Sequence, residues 1–219
     1  MRWFITGTDT DVGKSVTTAC LAQAARASGT VIAAKPVASG VSPGTPGEDA
    51  ARIAEAAGHA PLCFARYVPP VSPHRAILDG GAPLDATALA RWIGALQADT
   101  VLVEGVGGWR VPLQLGAVPI DVNDLARWTG GAVLVVARDR LGVLNHTLLT
   151  VEAIHREGFD VAGVVLCRVP GEKPSPSNLD DLRILLDVPV AVLPLLDPDS
   201  ASARQAAGEA LWQVLSAHH

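Results

Sequence analysis

The chain has 219 residues, of which 49% are hydrophobic, and it carries a formal net charge of −5. That length allows one large α/β domain with a well-buried core, or two small domains. The acidic balance gives little support to nucleic-acid binding, and no apolar run reaches the ~18 to 20 residues that cross a bilayer. The opening residues do not read as a signal peptide, and the three scattered cysteines lack metal spacing. We therefore expect a cytoplasmic protein without nucleic-acid or membrane partners.

Short apolar runs alternate with longer amphipathic segments from the N-terminus onward. The predicted strands are residues 2–6, 30–34, 100–104, 132–137, 161–167 and 190–193. The predicted helices are residues 14–27, 48–57, 85–96, 122–128, 144–156, 177–186 and 201–217. The strands are rich in Val, Ile and Leu on both faces, which is typical of parallel strands covered by helices on each side. The pattern predicts an α/β fold with a doubly wound, mainly parallel sheet and helices on both faces, in a single domain spanning residues 1–219.

Three stretches interrupt this rhythm. They are residues 36–47, 68–81 and 105–119, which are rich in Gly, Pro or both. Because ligands of parallel α/β folds bind beyond the carboxyl ends of the strands, long loops there are candidate substrate walls. The alternative is that these stretches only connect helices and strands at the surface. A fourth stretch, residues 170–177, holds three prolines, and we interpret it as an exposed connector without chemistry of its own.

The strongest motif is the string GTDTDVGKS at residues 7–15, between the first predicted strand and the first predicted helix. A phosphate-binding loop needs this context, because backbone N–H groups of the loop and helix start point at phosphate oxygens. Lys14 is placed to reach the β- and γ-phosphates, and the Ser15 hydroxyl to bind Mg²⁺. Five residues separate the glycines instead of four, and a helix cap with a nearby Lys is the alternative. The motif indicates a P-loop NTPase-like form of the α/β fold.

Two acidic residues are candidate magnesium ligands. Glu104 follows the apolar run VLV and precedes GVGG, and a P-loop enzyme needs an acid at such a strand end to hold Mg²⁺ or its water shell. A solvated strand-end Glu is the alternative. Asp49 enters a predicted helix, where a favourable interaction with the helix dipole is the simpler interpretation and a third oxygen group near Mg²⁺ the functional one.

Lys35 follows the second predicted strand, so its ammonium is expected at the same sheet edge as Lys14. Two cations there would stabilise the charge on a moving phosphoryl group. A Lys that extends to solvent is the alternative. We expect Lys35→Ala to abolish turnover and to spare the fold, since a surface cation at a strand end contributes little to stability.

Several strings together resemble the dethiobiotin synthetase family. They are GTDTDVGKS at Gly7, KPVASG at Lys35, the acidic Asp49, SPH at Ser72, VEGVGGW at Val103 and LGVLNHTLLT at Leu141. They occur in the family's order and at similar intervals from residue 7 to about residue 150. The last third of the chain matches in its strand–helix rhythm and in the Leu193-Pro194 turn.

The resemblance implies an ATP- and Mg²⁺-dependent ligase of biotin biosynthesis. In that family one amine of 7,8-diaminopelargonate takes up CO₂ as a carbamate. The carbamate oxygen attacks the γ-phosphate of ATP, which gives a mixed carbamic–phosphoric anhydride. The second amine then displaces phosphate and closes the ureido ring of dethiobiotin, so the reaction needs groups held together and water kept away.

The resemblance also implies roles for individual residues. Lys14 and Lys35 would be the catalytic cations, and Ser15, Asp49 and Glu104 the metal ligands. The implied nucleotide-binding residues are Asp11, Val12, Gly13, Lys14, Ser15, Val16, Glu104, Gly105, Val106, Gly107, Cys167, Arg168, Pro194 and Leu195. The implied substrate-binding residues are Thr8, Asp11, Lys35, Ser39, Gly142, Val143, Leu144 and Asn145. In the family, the helix opened by the last four comes from the other subunit of a homodimer, and its N-terminus could receive the substrate carboxylate.

One position departs from the family pattern. The strand ending at Cys167 is expected to close with an Asn that reads adenine, and here Cys167-Arg168 stands instead. Because Cys lacks the paired donor and acceptor of an amide, we expect a loose nucleotide preference, with CTP or GTP accepted beside ATP.

Two rival functions share this phosphate-binding core. A cobyrinate-type amidotransferase needs a glutaminase domain, for which the chain has no room and no Cys on a nucleophile elbow. A partition-type ATPase switch carries an additional Lys early in its phosphate loop, and residues 7–12 contain none.

Overall fold

A computed structural model describes residues 1–117 and 119–216. The strands are β1 (Arg2–Gly7), β2 (Val31–Ala34), β3 (Val37–Ser39), β4 (Ala65–Tyr67), β5 (Thr100–Gly108), β6 (Pro112–Gln114), β7 (Ile120–Asp121), β8 (Ala132–Arg138), β9 (Val161–Cys167) and β10 (Val190–Leu193). The helices are α1 (Lys14–Ala25), α2 (Glu48–Ala57), α3 (Pro73–Leu78), α4 (Ala86–Gly94), α5 (Val122–Thr129), α6 (Val143–Arg156), α7 (Asn178–Leu185) and α8 (Ala201–Leu215).

Six strands form one central parallel sheet in the order β10-β9-β8-β1-β5-β2. Because β1 lies between β5 and β8, the loop after β1 lies beside the carboxyl ends of both neighbours. The Thr8 N–H also donates to the Val136 carbonyl at 3.0 Å, which fixes the start of that loop against β8. The predicted α/β fold with a parallel sheet is confirmed.

The side chains of β1 alternate between two cores, one on each face of the sheet. Trp3 and Ile5 pack with residues of α1, α2 and α8. Phe4 packs on the other face with residues of α4, α5, α6 and α7. A period of two along a strand with both sides apolar requires helices on both faces, as predicted. Trp109 belongs to the second core, where its ring contacts Phe4 and Phe159 edge to face.

The structure differs from the predicted elements in the irregular stretches. The stretch 68–81 contains α3, which begins at Pro73, a residue type that favours the first helical turn. Two small sheets, β3-β4 and β6-β7, lie within or beside the other predicted loops. Strand β5 runs to Gly108 rather than ending at residue 104. The predicted end of the last helix at residue 217 lies outside the described residues. None of the helices in the described ranges is long and apolar enough to span a bilayer.

Helices α1 and α8 approach each other closely at Gly208. The contact predicts how a side chain at this position would change stability. A β-carbon at Gly208 would lie 2.0 Å from the Cys20 carbonyl oxygen, whereas one at Gly94 would meet no described atom within 4 Å. We expect Gly208→Ala to lower the free energy of unfolding by about 1 to 3 kcal/mol or more, because the two backbones must separate. Gly94→Ala, the matched control, should leave it unchanged or raise it by up to about 1 kcal/mol. Urea denaturation of both variants measures this, and equal stability would contradict the close contact.

Candidate active site

A cavity of about 760 Å³ opens beyond the carboxyl ends of the central strands. Its lining comes from the β1–α1 loop, the ends of β2, β5 and β8, helix α2, the segment before α3, and the segments after β9 and β10. These segments are far apart in sequence, and the parallel sheet brings them to one edge. The position agrees with the general rule for ligand sites in α/β sheets.

A buried ion pair lies at the bottom of this cavity. The Lys35 ammonium donates to Glu104 Oε1 at 2.6 Å and to Asp49 Oδ2 at 3.0 Å. The Lys35 side chain is 4% exposed and that of Glu104 is fully buried, whereas the Asp49 carboxylate is half exposed. The Ser15 hydroxyl donates to the same Glu104 oxygen at 2.7 Å. One carboxylate therefore connects the phosphate-loop helix, strand β2 and, through Lys35, helix α2.

The ion pair decides the charge state of Lys35. Burial alone lowers the pKa of its ammonium, but the Glu104 and Asp49 carboxylates outweigh that effect and hold the pKa above its ordinary value. Burial raises the pKa of the Asp49 carboxyl, but the Lys35 charge, the hydrogen bonds from Ser15 and Lys35 and the Lys14 charge together outweigh burial, so the pKa lies below its usual range. Lys35 therefore acts as a fixed positive charge at physiological pH and cannot serve as a proton acceptor.

Lys14 has the opposite electrostatic balance. Its ammonium donates to the Asp9 carbonyl at 2.8 Å. Burial, and next the Lys35 charge, lower its pKa to about 8. An anion bound in the cavity would favour the charged form and raise that pKa again. The site is therefore short of negative charge next to Lys14, as a phosphate-binding site must be before its ligand arrives.

The oxygen groups at the bottom of the cavity fit a magnesium ion. Glu104 Oε2 is buried and has no hydrogen-bond partner among the described residues. Ser15 Oγ bonds to the other Glu104 oxygen, and the half-exposed Asp49 carboxylate shares the Lys35 ammonium with Glu104. Within the described ranges no three His, Cys, Asp or Glu side chains gather as a metal cluster. The ion would thus take its remaining ligands from phosphate oxygens and water, as Mg²⁺ commonly does.

The phosphate loop needs backbone conformations that its sequence supplies. Gly13, before α1, has φ 98°, and a β-carbon there would lie 2.2 Å from Cys167 Sγ. Asp11 has φ 52° and is the one non-glycine residue with positive φ in the described part of the chain. Asp tolerates this conformation better than most residues. The loop therefore packs directly on the end of β9.

Many of the residues singled out from the sequence lie at one site. Those that line the cavity are Asp11, Gly13, Lys14, Ser15, Val16, Lys35, Ser39, Asp49, Val106 and Gly107, and Glu104 bonds to two of them. Ser39 Oγ is buried and lacks a hydrogen-bond partner among the described residues, so it is available to a ligand. Within the described residues, the cavity lining does not include Thr8, Val12, Gly105, Cys167, Arg168, Pro194, Leu195 or Gly142 to Asn145.

Cys167 does not reach the cavity because it is covered by the phosphate loop. Its side chain is buried against Gly13, and burial raises the pKa of its thiol to about 12. The neighbouring Arg168 pairs with Asp139 at 3.4 Å. Neither geometry resembles a base-reading amide.

The sequence-based interpretation missed part of the lining. Thr10, Arg52, Arg138, Val169, Pro170 and Pro198 also face the cavity, and Val111 does so from the predicted wall 105–119. That residues 170–177 carry no chemistry of their own stays a prediction, but the stretch does adjoin the site, because Pro170 lines the cavity and Glu172 pairs with Arg138 at 3.1 Å. A signal was present, since Arg138 ends a strand at the same edge as Lys35 and Glu104.

Comparison with known proteins assigns the chain to a family. A family model described as an AAA domain matches residues 1–201. The ATP-dependent dethiobiotin synthetase BioD of Anaeromyxobacter dehalogenans (strain 2CP-C) is 40% identical over 218 residues, which covers 95% of this chain and 96% of that protein. The chain belongs to the dethiobiotin synthetase family. The enzyme of that name from Rhodococcus jostii is 41% identical and covers 95% of this chain and 92% of its own length.

Solved structures outside the dethiobiotin synthetase family share the fold. The cell division ATPase MinD of Pyrococcus furiosus superposes with a TM-score of 0.56 at 17% identity, covering 97% of this chain and 98% of its own. A plasmid partition protein of Borrelia burgdorferi superposes with a TM-score of 0.57 at 10% identity, covering 96% and 97%. At these identities the likeness extends to the fold alone.

The buried ion pair corrects the expected effect of removing Lys35, which is no surface cation. We predict that Lys35→Ala lowers the free energy of unfolding by about 3 kcal/mol, because Glu104 is left buried without its main counter-charge. The double variant Lys35→Ala/Glu104→Ala should be more stable than the single one, since it removes the uncompensated carboxylate. Urea denaturation at neutral pH provides the comparison. A single variant as stable as the unsubstituted protein would show that the pair does not matter for stability.

Proposed function

We propose that the chain is a dethiobiotin synthetase that joins 7,8-diaminopelargonate and CO₂, with hydrolysis of ATP to ADP and phosphate. The observation that carries the proposal is the convergence of Lys14, Ser15, Lys35, Asp49 and Glu104 at one cavity of a chain that belongs to this family. The relatives' names state ATP dependence and dethiobiotin synthesis. ATP is therefore the nucleotide that these relatives support.

The proposed reaction uses the two lysines as charges and not as proton carriers. One amine of the substrate bonds to CO₂ and loses a proton, which gives a carbamate. A carbamate oxygen attacks the γ-phosphorus and the bond to the β-bridging oxygen breaks, so ADP leaves. The second amine attacks the carbonyl carbon and expels phosphate, which closes the ring. Lys35, held protonated by its carboxylate partners, would stabilise the carbamate and the transferred phosphoryl group.

We propose Mg²⁺ as the metal, bound by Ser15 and, directly or through water, by Asp49 and Glu104. When bound it would neutralise charge on the phosphate oxygens. The orphaned Glu104 Oε2 atom supports this assignment, because a buried carboxylate oxygen needs a partner.

The nucleotide base would meet an apolar part of the cavity. Val169, Pro170 and Pro198 line the cavity near the ends of β9 and β10, and their side chains offer neither donors nor acceptors. Together with the covered thiol of Cys167, this supports a loose base preference in which CTP and GTP replace ATP. Phosphate contacts, which every nucleoside triphosphate shares, would then supply most of the affinity.

A homodimer would complete the substrate site. Gly142 to Asn145 open α6 but lie outside the lining of this chain's own cavity in its described part. Leu141, just before them, and Leu149, one turn beyond Asn145 on α6, are 93% and 57% exposed. We propose that this surface packs on a second copy and presents the N-terminus of α6 to the partner's substrate carboxylate.

We further propose a single domain for residues 1–219 and a cytoplasmic location. The central sheet contains both β1 and β10, so strands from both ends of the chain belong to one sheet. Cys20, Cys63 and Cys167 are all free thiols, which suits a reducing compartment.

The activity is tested with purified protein, Mg²⁺, bicarbonate, 7,8-diaminopelargonate and one nucleotide at a time. We expect dethiobiotin, identified by mass, with ATP and with CTP or GTP at rates within about tenfold of one another, because phosphate contacts dominate. Lys14→Met should reduce the rate by about a hundredfold or more, since it removes a charge that faces the transferred group. No dethiobiotin with any nucleotide would refute the function, and product with ATP alone would refute only the loose base preference.

The shared site is tested with heterodimers that carry Lys14→Met in one subunit and Asn145→Asp in the other, purified through two different tags. Each homodimeric variant should be nearly inactive, the second because its new carboxylate repels that of the substrate. If each site combines both subunits, one site of the heterodimer contains both substitutions and the other contains neither. The heterodimer then keeps one intact site and about half the original activity. A heterodimer as inactive as both parents would show that each chain builds its own site.

A further inference from the structure

Arg138 bonds to the phosphate-binding loop, and the proposed reaction gives this residue no role. It is the last residue of β8, lines the cavity and is about three-quarters buried. Its Nη2 group donates to the Asp11 carbonyl at 2.6 Å, and its Nη1 group pairs with Glu172 Oε1 at 3.1 Å. One guanidinium thus connects the β1–α1 loop with the segment that follows β9.

The bond to Asp11 falls at the least relaxed point of the loop. Asp11 is the residue with φ 52°, a conformation that costs free energy for any side chain other than glycine. A charged donor on its carbonyl is a strong hydrogen-bond partner and helps to hold that conformation. The start of the loop is fixed by the same strand, because the Thr8 N–H donates to the Val136 carbonyl. Strand β8 therefore holds the loop at two points.

The orientation of one peptide follows from this contact. In a planar trans peptide the carbonyl of Asp11 and the N–H of Val12 point in opposite directions, and no cis peptide occurs in the described residues. When Arg138 fixes the carbonyl, it also fixes the direction of the Val12 N–H. Among the described residues that N–H has no acceptor, in contrast to the N–H of Thr8. The Asp11–Val12 peptide of the loop is therefore oriented by Arg138.

We propose that Arg138 is a positioning residue of the phosphate-binding loop: by holding the Asp11 carbonyl, it fixes the conformation of the loop before the nucleotide binds. The inference rests on the proposed function to the extent that the ligand is a nucleotide. Glu172 fixes the guanidinium from the other side, so the segment after β9 contributes to the shape of a loop that it does not touch.

Arg140 provides a matched control. It pairs with the same Glu172 oxygen at 3.5 Å, is 40% exposed, and has no bond to the loop among the described contacts. Arg138→Met and Arg140→Met change the net charge equally and each remove one partner of Glu172. Only the first releases the Asp11 carbonyl.

The test measures binding of ADP with Mg²⁺ by calorimetry, using the full chain. We expect Arg138→Met to raise the Kd about five- to tenfold, the range that loss of one charged hydrogen bond to a loop gives. Arg140→Met should stay within about twofold of the unsubstituted chain. In steady state, Arg138→Met should raise KM for ATP with kcat and KM for the diamine nearly unchanged, because the loop binds ground state and transition state alike. A purely structural role would not produce this split.

Amide exchange of the nucleotide-free protein supplies the second readout. Exchange across residues 8–13 should be faster in Arg138→Met, or in Arg138→Gln if the Met variant does not fold, than in Arg140→Met. Unchanged ADP affinity in the Arg138 variant, or equal losses in both variants, would overturn the inference. A fall in kcat with unchanged KM for ATP would also overturn it, since the arginine would then act on the transferred group. If the unsubstituted chain does not bind ADP, the proposed function fails and this inference fails with it.

Discussion

The contact between the Lys35 ammonium and the Glu104 carboxylate is the interaction on which the site depends. Both groups are buried, and two charges taken out of water are tolerated only when they meet in good geometry. The register of β2 against β5 provides that geometry, because Ala34 pairs with Val103 and the next residues are Lys35 and Glu104. A slip of β2 by one residue would turn Lys35 away from Glu104 and toward apolar packing. The ion pair therefore specifies the strand register as well as the chemistry.

The charges around the cavity are nearly balanced before any ligand arrives. Lys14 and Lys35 face Asp49 and Glu104, and the distribution is uneven: Lys35 holds both carboxylates, and Lys14 has only a backbone carbonyl. Burial then lowers the pKa of Lys14 to about 8. A nucleotide brings the missing negative charge to Lys14, and a magnesium ion would bring positive charge to the unpartnered oxygen of Glu104. The two lysines thus differ in task because their partners differ.

Local sequence was sufficient to predict the central strands and the phosphate loop. The predicted strands 161–167 and 190–193 coincide with β9 and β10, since runs that are apolar on both faces can only lie inside a covered sheet. The burial of Lys35 could not be predicted in this way, because its partner Glu104 lies 69 residues further along the chain. Helix α3 was missed for a related reason. The prolines of the stretch 68–81 indicate a loop, while the burial of α3 depends on contacts with β3 and β6.

The two ends of the cavity obtain their specificity from different physical sources. At the end that holds the ion pair, charged groups from α1, the end of β2, β5 and α2 converge, so a small displacement costs electrostatic energy that the low local dielectric enlarges. At the other end Val169, Pro170 and Pro198 provide apolar contact without direction, and such a surface discriminates poorly between flat rings of similar size. Arg138 lies between the two, since it bonds to the loop on one side and to Glu172 on the other. If Arg138 has the proposed role, a change after β9 alters phosphate affinity without touching a phosphate.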